Sequence, residues 1–207
     1  CERKTSRIEQ RSFLEINPKE SAPEYIIFLD IDLSKTLAEY EELFSLYKKN
    51  LAKVLVILPF SFLATDKEKI ERAITKTEIG GDNFGIIFVG DLLGPRVERP
   101  DGGLAAPPIV RALEKGKLPI FRGNLFPINV SDAAKEIAKS LFSFGPFGES
   151  LAVVGESTSQ EEFFQTVKRY LPETVPDLGL EEVKTVNVSK KVVRPANTAN
   201  LIKDTLE

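Results

Sequence analysis

Three continuous apolar runs divide the first half of the chain into alternating strand-like and helix-like stretches. They are EYIIFLDI at 24–31, KVLVILPF at 53–60 and FGIIFV at 84–89. Continuous β-branched and aromatic runs of this length are typical of strands that are buried on both faces of a parallel sheet. Between the runs, apolar residues recur at helical spacing after Ser34 and again after Thr65 or Asp66. The order predicts right-handed βαβ units.

The second half of the chain also alternates between short strands and capped helices. Ser131 is predicted to cap a helix over 132–143, and Ser159 with Glu162 forms a capping box for another helix over 159–171. The remaining predicted elements are a short helix over 107–116, short strands within 117–130, a strand over Leu151–Val154, a strand over Val183–Val188 and a terminal helix over Asn197–Leu206.

Length and charge limit the classes of function. With 207 residues, 42% of them hydrophobic and 29% charged, the chain can bury one core and a small appended lobe. Its net charge of −3, with acids and bases interspersed, argues against a general nucleic-acid binder, which needs a basic face to displace counterions. No apolar run approaches the roughly 18 residues of a membrane-spanning helix, so no transmembrane segment is predicted in this chain.

Three residue types are absent or nearly absent. The lack of histidine excludes Ser-His-Asp and Cys-His hydrolases and imidazole-bound zinc within this chain, and no metal site is predicted. The single cysteine, Cys1, cannot form an internal disulfide and fits a reducing compartment, so a cytoplasmic location is predicted. Methionine is absent too, which predicts that a segment upstream of Cys1 was removed or that the chain is a piece of a longer polypeptide.

Four stretches between residues 84 and 171 carry a recognisable order of motifs. They are FGIIFVGDLLGPR, IVRALEKGKLPIF, FPINVSDAAKEIAKSL and GESLAVVGESTSQEEFFQTVKRYL. Together they resemble the extended short-chain dehydrogenase/reductase family, the NAD-dependent epimerases and dehydratases of nucleotide sugars. The first stretch keeps Gly94, Pro95 and Arg96 of the family's Tyr-Gly-Pro-Arg turn, with Leu93 at the aromatic position.

This resemblance implies an α/β fold: a Rossmann-like parallel sheet with flanking helices, incomplete at its N-terminal side, plus a small C-terminal α+β lobe. Residues 1–100 would form the partial Rossmann-like core. Residues 101–207 would contribute segments that resemble the family's small substrate lobe, interleaved with the core in one compact unit.

The resemblance also implies where a cofactor would bind. The family holds its dinucleotide on a Gly-x-x-Gly-x-x-Gly turn after the first strand, and this chain has no such motif. No cofactor-binding residue is therefore predicted here. NAD(P) is expected only if a segment upstream of Cys1 supplies that strand and turn.

The catalytic set that the resemblance implies is altered. Lys67 aligns with the family's catalytic lysine, whereas the position of its partner tyrosine falls on Leu63. In the family that lysine lowers the pKa of the tyrosine so that it can move a proton during hydride transfer, and leucine cannot do so. The serine position falls near Leu58 and Pro59, which leaves Ser61 as the nearest hydroxyl. Lys67 and Ser61 are the catalytic candidates, with an exposed helix residue as the alternative for Lys67.

Four residues are substrate-binding candidates, namely Arg96, Arg111, Arg122 and Asn129. Arg96, in the turn after the strand, would bind a phosphate or a sugar acid, or would remain a solvated loop residue paired with a nearby acid. Arg122 stands close to Leu125, which occupies the position of the family's diphosphate-binding arginine. Asn129 replaces a histidine or tyrosine of the family segment.

Two acids at a strand end, Asp30 and Asp32, leave two interpretations open. They would contact a metal ion or a ribose, or they are simply the acids that commonly end a parallel strand.

The loss of the tyrosine, the serine and the diphosphate arginine leads to the main hypothesis. It is a catalytically degenerate epimerase/dehydratase-like domain that acts as a binding, assembly or regulatory module. The alternative is an active NAD(P)-dependent nucleotide-sugar epimerase or dehydratase whose cofactor-binding N-terminal segment is missing from this chain. A third hypothesis is a homodimer-forming structural domain that pairs through helices at 35–49 and 66–77. The expected partners are a nucleotide sugar and either a second copy or another protein, but not nucleic acid.

Overall fold

The computed structural model describes residues 25–30, 36–42, 53–63, 68, 72, 84–94, 120–142, 148–170, 180–195 and 197–206. Its strands are β1 (Tyr25–Leu29), β2 (Lys53–Pro59), β3 (Ser61–Leu63), β4 (Phe84–Val89), β5 (Asp91–Leu93), β6 (Ile120–Arg122), β7 (Pro127–Asn129), β8 (Ser150–Gly155), β9 (Leu180–Thr185) and β10 (Lys190–Arg194). Its helices are α1 (Val130–Phe142), α2 (Gln160–Tyr170) and α3 (Thr198–Leu206), and a helical stretch at 37–42 follows β1. Within these ranges, no helix has the length and apolar character needed to cross a membrane.

Five parallel strands form the central sheet, in the order β1-β2-β4-β8-β10. Each neighbouring pair is parallel, so each pair requires a crossover connection, as the predicted βαβ units demand. Two further sheets are smaller: β3, β9 and β6 form one, and β5 pairs with β7 in the other. The predicted α/β fold with a parallel sheet and flanking helices is therefore confirmed.

Alternate side chains of the central strands build an apolar layer on each face of the sheet. One layer consists of Phe28, Tyr40, Val54, Val56, Leu58, Phe60, Phe84, Phe88, Ala152 and Val154. The other consists of Leu55, Ile57, Ile87, Val89, Leu92, Ile128, Ala133, Leu151 and Val153, with Ile137 and Leu141 of α1 packed against it. Because both faces are covered, the central strands read as continuous apolar runs rather than as alternating ones.

Side-chain caps start the helices, and one cap differs from the prediction. The hydroxyl of Ser159 accepts the N–H of Glu162 at 3.2 Å, as the capping box predicts. The cap predicted at Ser131 is wrong, because the helix begins at Val130 and Asn129 Oδ1 accepts the N–H of Ser131 at 2.8 Å. Asparagine readily bonds a backbone N–H two residues ahead, so the residue that ends β7 also starts α1.

The strand predicted over Val183–Val188 is wrong as a single element. β9 ends at Thr185 and β10 begins at Lys190, and the two strands belong to different sheets. Val186 and Val188, between them, pack against the apolar layer that contains Phe88. The hydroxyl of Ser189 then donates to the carbonyl of Ser150 at 2.7 Å, which joins the start of β10 to the start of β8.

The β5–β7 pair, with the residues that lead into it, lies against the carboxyl ends of β4 and β8. Gly90 and Gly155 stand at those two strand ends, and a Cβ atom on either would overlap a backbone carbonyl oxygen, of Phe126 and Pro127 respectively. Only glycine permits this approach of two main chains. We call the segments 90–94 and 125–129 the ribbon.

A substitution at Gly155 tests this contact. Gly155→Ala is expected to lower the free energy of unfolding by about 3 kcal/mol or more, because the added methyl group meets main chain rather than a movable side chain. Urea denaturation followed by circular dichroism measures the loss. Glu156→Ala, at the neighbouring exposed residue, is the control and should change stability little. Equal midpoints for the two variants would contradict the contact.

Candidate functional site

The carboxyl ends of the parallel strands form the edge at which open α/β sheets bind ligands. Here Asp30 follows β1, Phe60 follows β2, Gly90 follows β4, Glu156 follows β8 and Pro195 follows β10. The surroundings of these positions determine which ligand the edge can accept.

At the end of β1, Asp30 is held by protein groups. Its carboxylate accepts a hydrogen bond from the hydroxyl of Tyr40, and its N–H donates to the carbonyl of Ile57 at 3.1 Å. Both side chains are buried, with exposed fractions of 2% for Asp30 and 0% for Tyr40. The ring of Tyr40 also packs edge-on against Phe28, with 5.7 Å between centroids. This placement favours a structural role for Asp30 over contact with a metal or ribose.

At the end of β2, the catalytic candidate Ser61 is enclosed. Its hydroxyl is buried and has no hydrogen-bond partner among the described residues, and its main chain lies in β3, where it pairs with Thr185 of β9. The position of the family's tyrosine, Leu63, lies in the same ladder opposite Val183. The ladder with β9 therefore includes the family's tyrosine position and the hydroxyl nearest to its serine position.

Two phenyl rings and an ammonium group join β2, the ribbon and β10. The rings of Phe60 and Phe126 meet edge-to-face at 5.0 Å between centroids. The Nζ atom of Lys191 lies 4.7 Å from the centroid of Phe126 and 5.4 Å from that of Phe60. A cation over an aromatic face is attracted by the ring quadrupole, so this contact holds β10 against the other two segments.

At the end of β4, Asp91 is a buried acid within the ribbon. Its Oδ2 atom accepts the N–H of Phe126 at 2.8 Å, and its own N–H donates to the carbonyl of Phe126 at 3.0 Å. Burial raises the pKa of the Asp91 carboxyl to about 6, because loss of water disfavours the charged form more than these hydrogen bonds favour it. Sequence analysis did not identify this acid, since its partner lies 35 residues away.

Two substrate-binding candidates fall on described elements but do not lie together on one strand pair. Asn129 ends β7 in the ribbon, where its Oδ1 atom caps α1 and its amide nitrogen lies near Gly94. Arg122 ends β6, which pairs with β9 and not with the central sheet. Between them, Leu125 is buried and pairs with Thr158 through two backbone hydrogen bonds of 3.0 and 2.9 Å. An apolar residue thus lies at the position of the family's diphosphate arginine.

Four other candidates lie outside the described residues, namely Lys67, Arg96, Arg111 and Asp32. Among the residues that are described, no group of three or more metal-ligating side chains comes together.

A polar cavity of about 310 Å³ opens between the first turns of α2 and α3. It is lined by Glu156, Ser157, Thr158, Glu162, Thr166, Asn197, Thr198 and Ala199. These residues follow the carboxyl ends of two neighbouring strands, β8 and β10. Sequence analysis missed the cavity, although the two segments that form it, GESTS at 155–159 and ANTAN at 196–200, are rich in small polar residues.

The polar groups of the cavity are only partly used by the protein. The hydroxyl of Thr158 donates to Glu162 at 3.2 Å, and Asn197 Oδ1 accepts the N–H of Asn200 at 3.2 Å. The side chains of Glu156, Ser157 and Thr198 have no hydrogen-bond partner in the described part of the chain. The lining thus offers carboxylate and hydroxyl oxygens and no cationic side chain, which suits a ligand rich in hydroxyl groups better than a phosphate.

The Asp30–Tyr40 hydrogen bond can be tested by removing the hydroxyl group of Tyr40. Tyr40→Phe removes the hydroxyl that donates to a buried carboxylate, so it should lower the free energy of unfolding by about 1–3 kcal/mol. Tyr170→Phe, at the exposed end of α2, is the matched control and should be nearly neutral. Urea titrations at neutral pH compare them, and a Tyr40→Phe variant as stable as the control would refute the role given to this bond.

Solved structures with a similar fold exist at low sequence identity. The enzyme WbmH of Bordetella bronchiseptica, solved with NAD+, superimposes with a TM-score of 0.50 at 12% identity, over 89% of this chain and 75% of WbmH. MoeE5, solved with UDP-glucuronic acid and NAD, gives a TM-score of 0.51 at 14% identity, over 95% of this chain and 79% of MoeE5. No protein-family model and no curated protein sequence matches the chain.

These comparisons bear on the fold. The resemblance to NAD-binding enzymes of nucleotide sugars, inferred from four sequence stretches, is confirmed at the level of architecture. At such low identity, a shared fold does not carry an activity with it.

Proposed function

We propose that this chain is a binding module built on the fold of NAD-dependent nucleotide-sugar enzymes, and that it binds a ligand without transferring hydride. Its role would be in binding, assembly or regulation. The observation that carries the proposal is the enclosure of Ser61, whose buried hydroxyl lies in a strand ladder with β9.

Hydride transfer to or from a sugar carbon requires a side chain that moves the hydroxyl proton of the same carbon. That group must come within hydrogen-bond distance of the substrate. The residue at the tyrosine position, Leu63, has no ionisable proton, and the hydroxyl of Ser61 is buried in the ladder. The segment is therefore better suited to holding the fold together than to acid–base chemistry.

The ligand class that we propose is a nucleotide sugar. Support comes from MoeE5, which shares the fold and is solved with UDP-glucuronic acid. Support also comes from the cavity between α2 and α3, where unpartnered hydroxyl and carboxylate groups can bond sugar hydroxyls. Glu156 and Glu162 disfavour a diphosphate in this cavity, so the sugar or ribose hydroxyls would lie there and the phosphates elsewhere.

The alternative function is an active NAD(P)-dependent epimerase or dehydratase. The shared fold of WbmH and MoeE5, both solved with the dinucleotide, favours it. It would require a dinucleotide-binding segment outside this chain, together with catalysis by Lys67 and Ser61 and phosphate binding by Arg122. Asn129 would then serve the substrate through its amide nitrogen, because its oxygen caps α1.

Titration calorimetry separates the two functions. The full-length protein is titrated with UDP-glucose, UDP-glucuronic acid, NAD and NADH, and the sugar in the same mixtures is followed by proton NMR, because an epimerase or dehydratase returns the hydride to the sugar and accumulates no NADH. We expect binding of a UDP-sugar, no binding of NAD or NADH, and no turnover. Micromolar NAD binding accompanied by conversion of the sugar would overturn the proposal. Failure of a folded sample to bind any UDP-sugar would also overturn it.

A variant of the cavity tests the location of the ligand. Thr198→Val removes one unpartnered hydroxyl at constant shape and should weaken UDP-sugar binding by about 2–10-fold, the effect of one hydrogen bond. Thr185→Val, at an exposed position of β9 outside the cavity, is the matched control and should bind as the native chain does. Equal affinities for the two variants would place the ligand elsewhere.

The assembly role has a separate test. Light scattering after size-exclusion chromatography gives the molar mass of the chain in solution. A dimer would support the self-association that we propose, whereas a monomer at all accessible concentrations would restrict the module to ligands or other proteins.

A further inference from the structure

The ribbon contains one titratable side chain that is enclosed by main chain. Asp91 exposes 8% of its surface, and its two hydrogen bonds with Phe126 join the start of β5 to the residue before β7. The next turn of the ribbon is attached to α3, because the N–H of Gly94 donates to the hydroxyl of Thr205 at 2.8 Å. Asp91 therefore lies where the two halves of the ribbon meet.

Among the described residues, no charged group offsets an ionised Asp91. β7 has no titratable residue, and the charged residues of α1, which packs on β5, pair with one another: Lys135 with Asp132 and Lys139 with Glu136. On α3, Lys203 and Asp204 are exposed. No ion pair joins any of these groups, or Lys191 above the ring of Phe126, to Asp91. Ionisation would thus leave a buried negative charge that, in the part of the chain described, is supported by backbone N–H groups alone.

We infer that Asp91 is a pH-sensitive switch that controls how tightly the ribbon closes over the carboxyl ends of β4 and β8. The neutral carboxyl favours the closed ribbon, and the carboxylate favours local opening. This regulation rests on the proposed function, because the ribbon carries Asn129, a substrate-binding candidate, and is bonded at Gly94 to α3, whose first turn lines the cavity.

The direction follows from the two ionisation states. The carboxyl has a raised pKa of about 6 when the ribbon is closed and its ordinary pKa of 3.8 when solvent reaches it. The added stability of the closed ribbon is complete below the lower of these values, and it is lost as pH rises through the upper one. Between pH 5 and pH 8 the equilibrium constant for opening should rise about tenfold.

Amide hydrogen exchange of the ligand-free protein measures this opening. The exchange rates of the Asp91 and Phe126 amides are compared at pH 5 and pH 8, each corrected for the intrinsic rate of an unprotected amide. We expect their protection to fall about tenfold over this range while the amides of β2 keep theirs. Asp91→Asn, which preserves the acceptor for the Phe126 N–H without a titratable proton, should remove the dependence.

Two results would overturn the switch. One is equal protection of the ribbon amides at both pH values in the native chain. The other is an equal fall in the protection of the β2 amides, which would indicate global unfolding. If Asp91→Asn does not fold, the carboxyl carbon of Asp91 in the native chain is titrated by NMR, and a pKa near 4 refutes the inference.

The exchange experiment contains no ligand, so its outcome is separate from that of the calorimetry. If the protection of the ribbon does not change with pH, UDP-sugar binding remains as proposed but does not depend on Asp91. If no UDP-sugar binds, the pH-dependent opening of the ribbon is still expected.

Discussion

The contact of two main chains at Gly90 and Gly155 is the constraint on which the rest of the carboxyl edge depends. The carbonyl groups of Phe126 and Pro127 occupy the space that a side chain would need at the ends of β4 and β8. This contact brings Phe126 within hydrogen-bond distance of Asp91 and places its ring on Phe60. It also sets where β7 ends and hence where α1 begins. The segment 125–129, more than 30 residues after β4 in sequence, can thus lie against β4 because Gly90 and Gly155 have no Cβ atom.

Much of this edge is occupied by the chain itself, and at the end of β4 the main-chain contact is the reason. The hydroxyl of Tyr40 lies at the end of β1, the β3–β9 ladder follows β2, and the ribbon covers β4. Each group satisfies a polar atom or covers an apolar one that an open site would leave to a ligand. The cavity between α2 and α3 differs from these three ends because it brings together several side chains, Glu156, Ser157 and Thr198, that have no hydrogen-bond partner among the described residues. A binding role is consistent with an edge that is covered at three strand ends and open at the cavity.

The sequence predicts the parts of the fold that depend on local patterns. The apolar runs at 53–60 and 84–89 identify buried parallel strands, and the Ser159–Glu162 spacing identifies the start of α2. The failures come from contacts distant in sequence. Nothing local indicates that β9 ends at Thr185, because Val186 and Val188 would have the same apolar character inside a strand as they have in the segment that packs on the core layer. Likewise, the burial of Asp91 depends on a partner that only the folded chain supplies.

Charge at this edge bears on the kind of ligand that it can hold. Helix N-termini attract anions, and α2 and α3 both begin at the cavity. One backbone N–H in the first turn of each helix, however, is already bonded, by Ser159 and by Asn197 respectively, and the nearby carboxylates of Glu156 and Glu162 oppose an anion. With Leu125 in place of an arginine, the edge gains no cation there either. Recognition of a nucleotide sugar in this cavity would therefore depend on hydroxyl groups, and the phosphates would have to be bound by basic residues elsewhere in the chain.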